Sequence, residues 1–219
     1  KKVFDFQRIE LDIAQSEEIE KACQRGLHTG KVQQRVMDLI NAPANFMQPK
    51  DLANWTRESG KEHGYSVKIL DSQSLEDLGM KAILAVNQGS KTSAYCIVAE
   101  YKPENAPENL PKIGLVGKGV TYDTGGLNIK INNMHFMKCD MGGATIVLGA
   151  IELIARLKLP IHLVVVVPTT ENDVDATAVK PGDVIGSYSG KTIEVIDTDA
   201  EGRLILADGL AYLNAEYQP

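Results

Sequence analysis

The amino-acid sequence predicts an α/β fold, a mixed and mostly parallel sheet flanked by helices in three αβα layers. Short β-branched or apolar runs alternate along the chain with amphipathic stretches of helical period, the pattern of a layered sheet. One run, Val164-Val165-Val166-Val167, is apolar on both faces, as a central strand covered by helices on each side must be. The 219 residues, 43% hydrophobic and 24% charged, suffice for one large or two small globular domains.

Each element follows from its local pattern. Ser16 to Ile40 carries apolar residues at helical intervals (Ile19, Cys23, Leu27, Val32, Val36, Leu39), with Ser16 and Glu18 marking its start and Gly26 and Gly30 expected to loosen its middle. Asn41-Ala42-Pro43 stops it. Pro49-Lys50-Asp51 opens a second helix through about Lys61, ended by His63-Gly64. The period then changes, and Ser66–Leu70, Ala82–Val86, Tyr95–Glu100, Lys112–Gly117 and Ile161–Val167 read as strands. Pro103 to Pro111, with three prolines, is an in-domain loop. Ile146–Leu157 is an amphipathic helix, Ile193–Ile196 a further strand, and Leu204–Leu213 a last helix. Gly186 to Thr192 looks like a phosphate loop but is one residue short between its glycines and precedes a strand, so it reads as a hairpin-like turn.

Composition excludes several classes of function. The net charge of −6, with no lysine-arginine block, argues against a nucleic-acid partner, which needs clustered cations to displace counterions. No apolar run approaches the ~20 residues of a membrane-spanning helix, and Lys1-Lys2-Val3-Phe4-Asp5 lacks the apolar core of a secretory signal. A cytoplasmic location is the expectation. Cys23, Cys96 and Cys139 lie far apart and suit a reducing compartment better than a disulfide framework. The histidines His28, His63, His135 and His162 form no His-Glu-x-x-His zinc helix, and no Gly-x-Ser-x-Gly elbow exists.

What remains is a set of charged residues where strands give way to helices, the edge at which open α/β sheets bind ligands. Lys118 and Asp123 flank a glycine-rich stretch after the strand at Lys112, Asp140 precedes Gly142-Gly143-Ala144, and Asp199 and Glu201 lie between the last strand and the last helix. Brought together, four carboxylates would repel unless protonated, paired with cations or bound to metal. Two divalent ions balance Asp123, Asp140, Asp199 and Glu201 if Lys118 joins as a neutral amine, because burial and like charge disfavour its ammonium form. Lys130 and Arg203 would then be left to polarise a carbonyl or hold an anion. Each residue has an ordinary structural use as well: Asp140 as an N-cap, Asp199 and Glu201 as favourable charges at a helix N-terminus, Gly125-Gly126 as a turn, Cys139 as a small hydrophobe. Spacing alone leaves both readings open.

Three long segments decide between them by resemblance. Gly117-Lys118-Gly119-Val120-Thr121-Tyr122-Asp123-Thr124-Gly125-Gly126-Leu127-Asn128-Ile129-Lys130, then Met137-Lys138-Cys139-Asp140-Met141-Gly142-Gly143-Ala144, then Asp197-Thr198-Asp199-Ala200-Glu201-Gly202-Arg203-Leu204 closely resemble the catalytic segments of the leucyl aminopeptidase family of two-metal exopeptidases. The likeness runs from about Ser16 to the end and makes residues 16–219 the N-terminal part of a catalytic domain, with 1–15 a linker or the tail of an absent N-terminal domain. It implies hydrolysis of the N-terminal peptide bond of peptides with a free N-terminus, two divalent ions (zinc or manganese), a bicarbonate-like anion and a homo-hexamer. Lys118, Asp123, Asp140 and Glu201 would hold the tighter metal, Asp123, Asp199 and Glu201 the more exchangeable one. Lys130 would polarise the scissile carbonyl, Arg203 would hold the anion acting as base, and Met137 would line the pocket for the substrate's first side chain.

The sequence departs from the family pattern at three places. Asp173-Val174-Asp175-Ala176 replace a usual Met-Pro-Ser-Gly, Asp197 replaces a usual Asn, and Ile131-Asn132 replace a proline-containing turn after Lys130. The absence of the family's later catalytic segments leaves a second expectation, a metal-binding but catalytically inactive fragment or scaffold.

Overall fold

The computed structural model describes residues 16–219 apart from 105, 108 and 109, so the linker expected over 1–15 lies outside the described residues. Ser16 caps α1 (Glu17–Asn41) through its hydroxyl. The helix runs unbroken through Gly26 and Gly30, whose expected loosening does not occur. Pro49 opens α2 (Pro49–His63), and Gly64 closes it in the left-handed conformation. Then follow β1 (Ser66–Leu70), α3 (Ser72–Asp77), α4 (Lys81–Asn87), β2 (Tyr95–Tyr101), β3 (Lys112–Val116), β4 (Gly119–Asp123), α5 (Gly142–Arg156), β5 (His162–Asn172), the two-residue strands β6 (Val184–Ile185) and β7 (Ile193–Glu194), and α6 (Glu201–Tyr217).

The sheet is mixed. Its order is β1-β2-β5-β3, with β4 also on β5; β1 and β5 run antiparallel to β2, whereas β3 and β4 run parallel to β5. Every residue from Leu163 to Thr170 is buried, and alternate side chains enter opposite cores. Leu163, Val165 and Val167 pack with α1, α2 and α5, while Val164 and Val166 pack with α3, α4 and α6. A strand buried on both faces needs both helix layers, which completes the three-layer arrangement. Gly186 to Thr192 joins β6 to β7 as a hairpin loop.

The expected strand at Ala82–Val86 is instead the helix α4. A five-residue apolar run has no period of its own to distinguish a buried strand from a buried helix. The deciding contact is remote: Asp208 on α6, fully buried, accepts the Ala82 and Ile83 N–H groups at 2.9 and 3.0 Å and so satisfies the first turn of α4.

Glu152 on α5 is likewise fully buried and ties together the helices of the other face. Its carboxylate accepts from Ser59 of α2 at 2.8 Å and from Arg156 at 2.8 Å, with Arg35 of α1 at 3.2 Å. Glu152→Ala, which leaves Arg156 without its acid and Arg35 with only the exposed Glu62, is expected to lower unfolding stability by about 3 kcal/mol. Glu58→Ala, which removes only an exposed pair with Lys61, should cost little. Denaturant titration of both variants checks this, and similar losses from the two would contradict a special role for Glu152.

Candidate metal centre

Three stretches of chain meet at one edge of the sheet. Val116 pairs with Val166 and Gly119 with Thr169, so β3 and β4 follow β5 in one register across the break at Gly117-Lys118. The residue of β5 at the level of Lys118 is Pro168, which has no N–H to contribute to the ladder. Lys118 leaves the sheet there and crosses the first turn of α6, where only a glycine fits: a Cβ on Gly202 would lie 2.6 Å from Lys118 Cε and 2.8 Å from its Cδ.

Between Val120 and Asp123 the register shifts, which sets Asp123 against Asn172. A bulge of this kind re-aims a side chain. Asp123, 2% exposed, has its Oδ1 held by the Gly125 N–H at 2.9 Å and by Asn172 Nδ2 at 2.8 Å. Its Oδ2 lies 2.8 Å from Lys130 Nζ. The close return after Asp123 needs Gly125, whose φ is +90° and whose Cβ would come within 2.4 Å of Asn128 O.

Asp140 follows a 3-10 turn, Met134–Cys139, and does not cap α5, which starts after Met141 without a side-chain cap. Its carboxylate turns to Lys118 Nζ at 2.5 Å. Glu201 is the first residue of α6, its Oε1 2.6 Å from the same nitrogen. Asp199, in the 3-10 turn Thr198–Ala200, forms an ion pair with Lys130. The structure thus brings together Lys118, Asp123, Lys130, Asp140, Asp199 and Glu201. Arg203 lies outside this group, exposed on α6, where it lines a cleft of about 430 Å³ with Asp197 and Ala200 and makes no ion pair among the described residues. Met137 sits half-buried in the 3-10 turn, and its carbonyl accepts the Asp140 N–H.

Burial raises the pKa of Asp140 and of Glu201, Lys118 opposing the rise and Asp123 adding to it in both cases. Burial also works against the charge on Lys118, but its bonds to Asp140 and Glu201 outweigh that and raise its pKa. The same balance, set by Asp123 and Asp199, raises that of Lys130. Lys118 therefore pairs with Asp140 and Glu201, and Lys130 with Asp123 and Asp199, whereas the neutral Lys118 and uncommitted Lys130 of the sequence reading belong to a site holding two divalent ions.

The donor set suits a divalent cation. Asp123, Asp199 and Glu201 each offer an oxygen within 4.8 Å of the others', and Glu201 Oε2 is buried with no hydrogen-bond partner. A buried carboxylate oxygen without a donor is costly unless a cation completes it. Four carboxylates against two lysines leave negative charge to be neutralised.

Sequence reasoning missed the supporting hydrogen bonds. Asn172 also donates to Thr198 O at 3.0 Å, and Thr198 Oγ1 donates to Gly125 O at 2.7 Å and accepts the Asn128 N–H at 2.8 Å. The one available signal was an Asn ending the most buried strand at the edge where the acids gather.

A model of the catalytic domain of the cytosol aminopeptidase family matches residues 34–219. The chain is similar to the probable cytosol aminopeptidases of Chloroherpeton thalassium, 45% identical over 96% of this chain and 42% of that protein, and Chlorobaculum tepidum, 46% identical over 93% and 40%. Among solved structures it is similar to a cytosol aminopeptidase from Coxiella burnetii, with a TM-score of 0.82 and 38% identity over 91% of this chain and 42% of that one. The leucine aminopeptidase of Caenorhabditis elegans gives 0.85 and 33% over 90% and 40%. The chain thus spans about two fifths of the length of these relatives.

Gly202→Ala is expected to push Lys118 away from Glu201 and to weaken manganese binding about tenfold, or about 1.4 kcal/mol. Calorimetric titration of the variant with manganese checks this. Unchanged affinity would show that the path of Lys118 over α6 does not matter to the site.

Proposed function

Because the chain belongs to the cytosol aminopeptidase family, we propose that the whole protein is a metal-dependent aminopeptidase that removes the N-terminal residue of peptides. The observation that carries this reading is the buried, unpartnered Glu201 Oε2 beside Asp123 and Asp199. Lys118, Asp123, Asp140 and Glu201 would hold one divalent ion, and Asp123, Asp199 and Glu201 a second, with Asp123 and Glu201 shared. Zinc and manganese both suit oxygen-rich sites with one amine. Such ions, when bound, lower the pKa of a water and polarise a carbonyl oxygen.

The remaining chemistry belongs to the chain. Lys130 is 18% exposed at its side chain and held protonated by Asp123 and Asp199. It would act as a donor of charge and hydrogen bonds to the oxygen developing at the scissile carbonyl. Arg203, exposed at the first turn of α6 and without a carboxylate partner among the described residues, would hold a bicarbonate-like anion that takes the proton from water. Met137 would line the pocket for the first side chain of the peptide. Peptides with a free N-terminus as substrates, a cytoplasmic location and assembly as a homo-hexamer belong to the same reading and rest on family membership. No helix of the described residues is long and apolar enough to cross a membrane.

The intact protein should release leucine from leucine amide with manganese or zinc added. Lys130→Ala should retain the metals and lose about 100-fold in kcat, whereas Asp140→Ala and Glu201→Ala should lose metal and turnover together. Tight manganese binding with no turnover in the intact protein would contradict the aminopeptidase reading and leave a metal-binding scaffold.

A further inference from the structure

We propose that Asn172 is a positioning residue that yokes the two arms of the carboxylate cluster, holding Asp123 in register with the segment that carries Asp199 and Glu201. The proposal rests on the metal-centre reading above and concerns a residue with no part in the ligand set.

Asn172 ends β5 and is 2% exposed. Its main chain is fixed, since Thr124 donates to its carbonyl through both N–H and hydroxyl at 2.9 Å. Its amide group reaches two stretches far apart in sequence: Nδ2 lies 2.8 Å from Asp123 Oδ1 and 3.0 Å from Thr198 O. Asp123 belongs to β4, and Thr198 immediately precedes Asp199 in the turn that leads to Glu201. One side chain therefore bonds both to an acid of one arm and to the turn that carries the acids of the other, beside the links that Thr198 makes to Gly125 and Asn128.

The residue type fits the task. An amide offers two N–H donors and no charge. With the Gly125 N–H it satisfies Asp123 Oδ1 by neutral groups alone. Asn172 thus orients the carboxylate without adding charge, and Oδ2 is the oxygen that faces a cation, the Lys130 ammonium in this structure. A lysine or arginine here would donate as well but would compete with the metal. An aspartate of nearly the same shape would set a second negative charge against Asp123 and lose the bond to Thr198 O. The bulge between Val120 and Asp123 is what sets Asp123 opposite Asn172.

The test uses the intact protein, manganese as the probe, calorimetry for affinity and electron paramagnetic resonance for coupling between two ions. Asn172→Asp, Asn172→Ala and Asn172→Ser are compared with the unaltered protein, each melted without metal to establish folding. A folded variant is expected to bind manganese at least tenfold more weakly and to show an isolated-ion spectrum in place of a coupled pair, a signature that loss of stability alone would not produce. Wild-type affinity and coupling in any folded variant overturns the proposal, as does failure of all three to fold, which would make Asn172 purely structural. If the unaltered protein itself shows no coupled pair, the metal-centre reading falls, and this proposal with it.

Discussion

Asp123, Asp140, Asp199 and Glu201 crowd around the ammonium groups of Lys118 and Lys130, and much of the surrounding architecture serves to hold them there against their mutual repulsion. Burial, with the neighbouring Asp123 charge, pushes the pKa of Asp140 and Glu201 upward, a measure of how poorly these charges are solvated. A chain selected only for stability would replace such a group with apolar residues. Its retention at a sheet edge, with one Glu201 oxygen unpartnered, is the electrostatic profile of a site that takes up positive charge from outside.

The fold supplies rigidity where the electrostatics is least favourable. β5 is buried on both faces, and the Lys118 break, the Asp123 bulge and the strand end at Asn172 are all measured off its register. Asp208 and Glu152, each fully buried and hydrogen-bonded, anchor the helices of the two outer layers from α6 and α5. The acids of the site are thus carried by elements whose own positions are fixed by separate polar contacts. Gly202 completes the arrangement by letting the Lys118 side chain pass where a Cβ would force it to shift.

Much of this was legible in the amino-acid sequence, for identifiable reasons. β1, β2, β3 and β5 announce themselves by period and composition, and the three charged segments stand where strands give way to helices. β4 was hidden because Gly119 to Asp123 sits inside a glycine-rich run that reads as loop, although it pairs with β5. α4 was misread because its helical start depends on Asp208, more than a hundred residues away, which no local window contains. Pairing of Lys130 with Asp123 and Asp199 was equally out of reach, since it is a property of three-dimensional convergence. Asn172 carried no signal beyond its place in the chain, because a neutral amide shows its purpose only when both of its partners are known.

Anomalous diffraction from crystals of the intact protein soaked with manganese tests the central claim most directly. Two peaks about 3.5 Å apart, with Asp123 and Glu201 contacting both and the Lys130 ammonium displaced from Asp199, are the predicted result. No peak at these carboxylates, or a single ion held by surface acids elsewhere, would contradict the account.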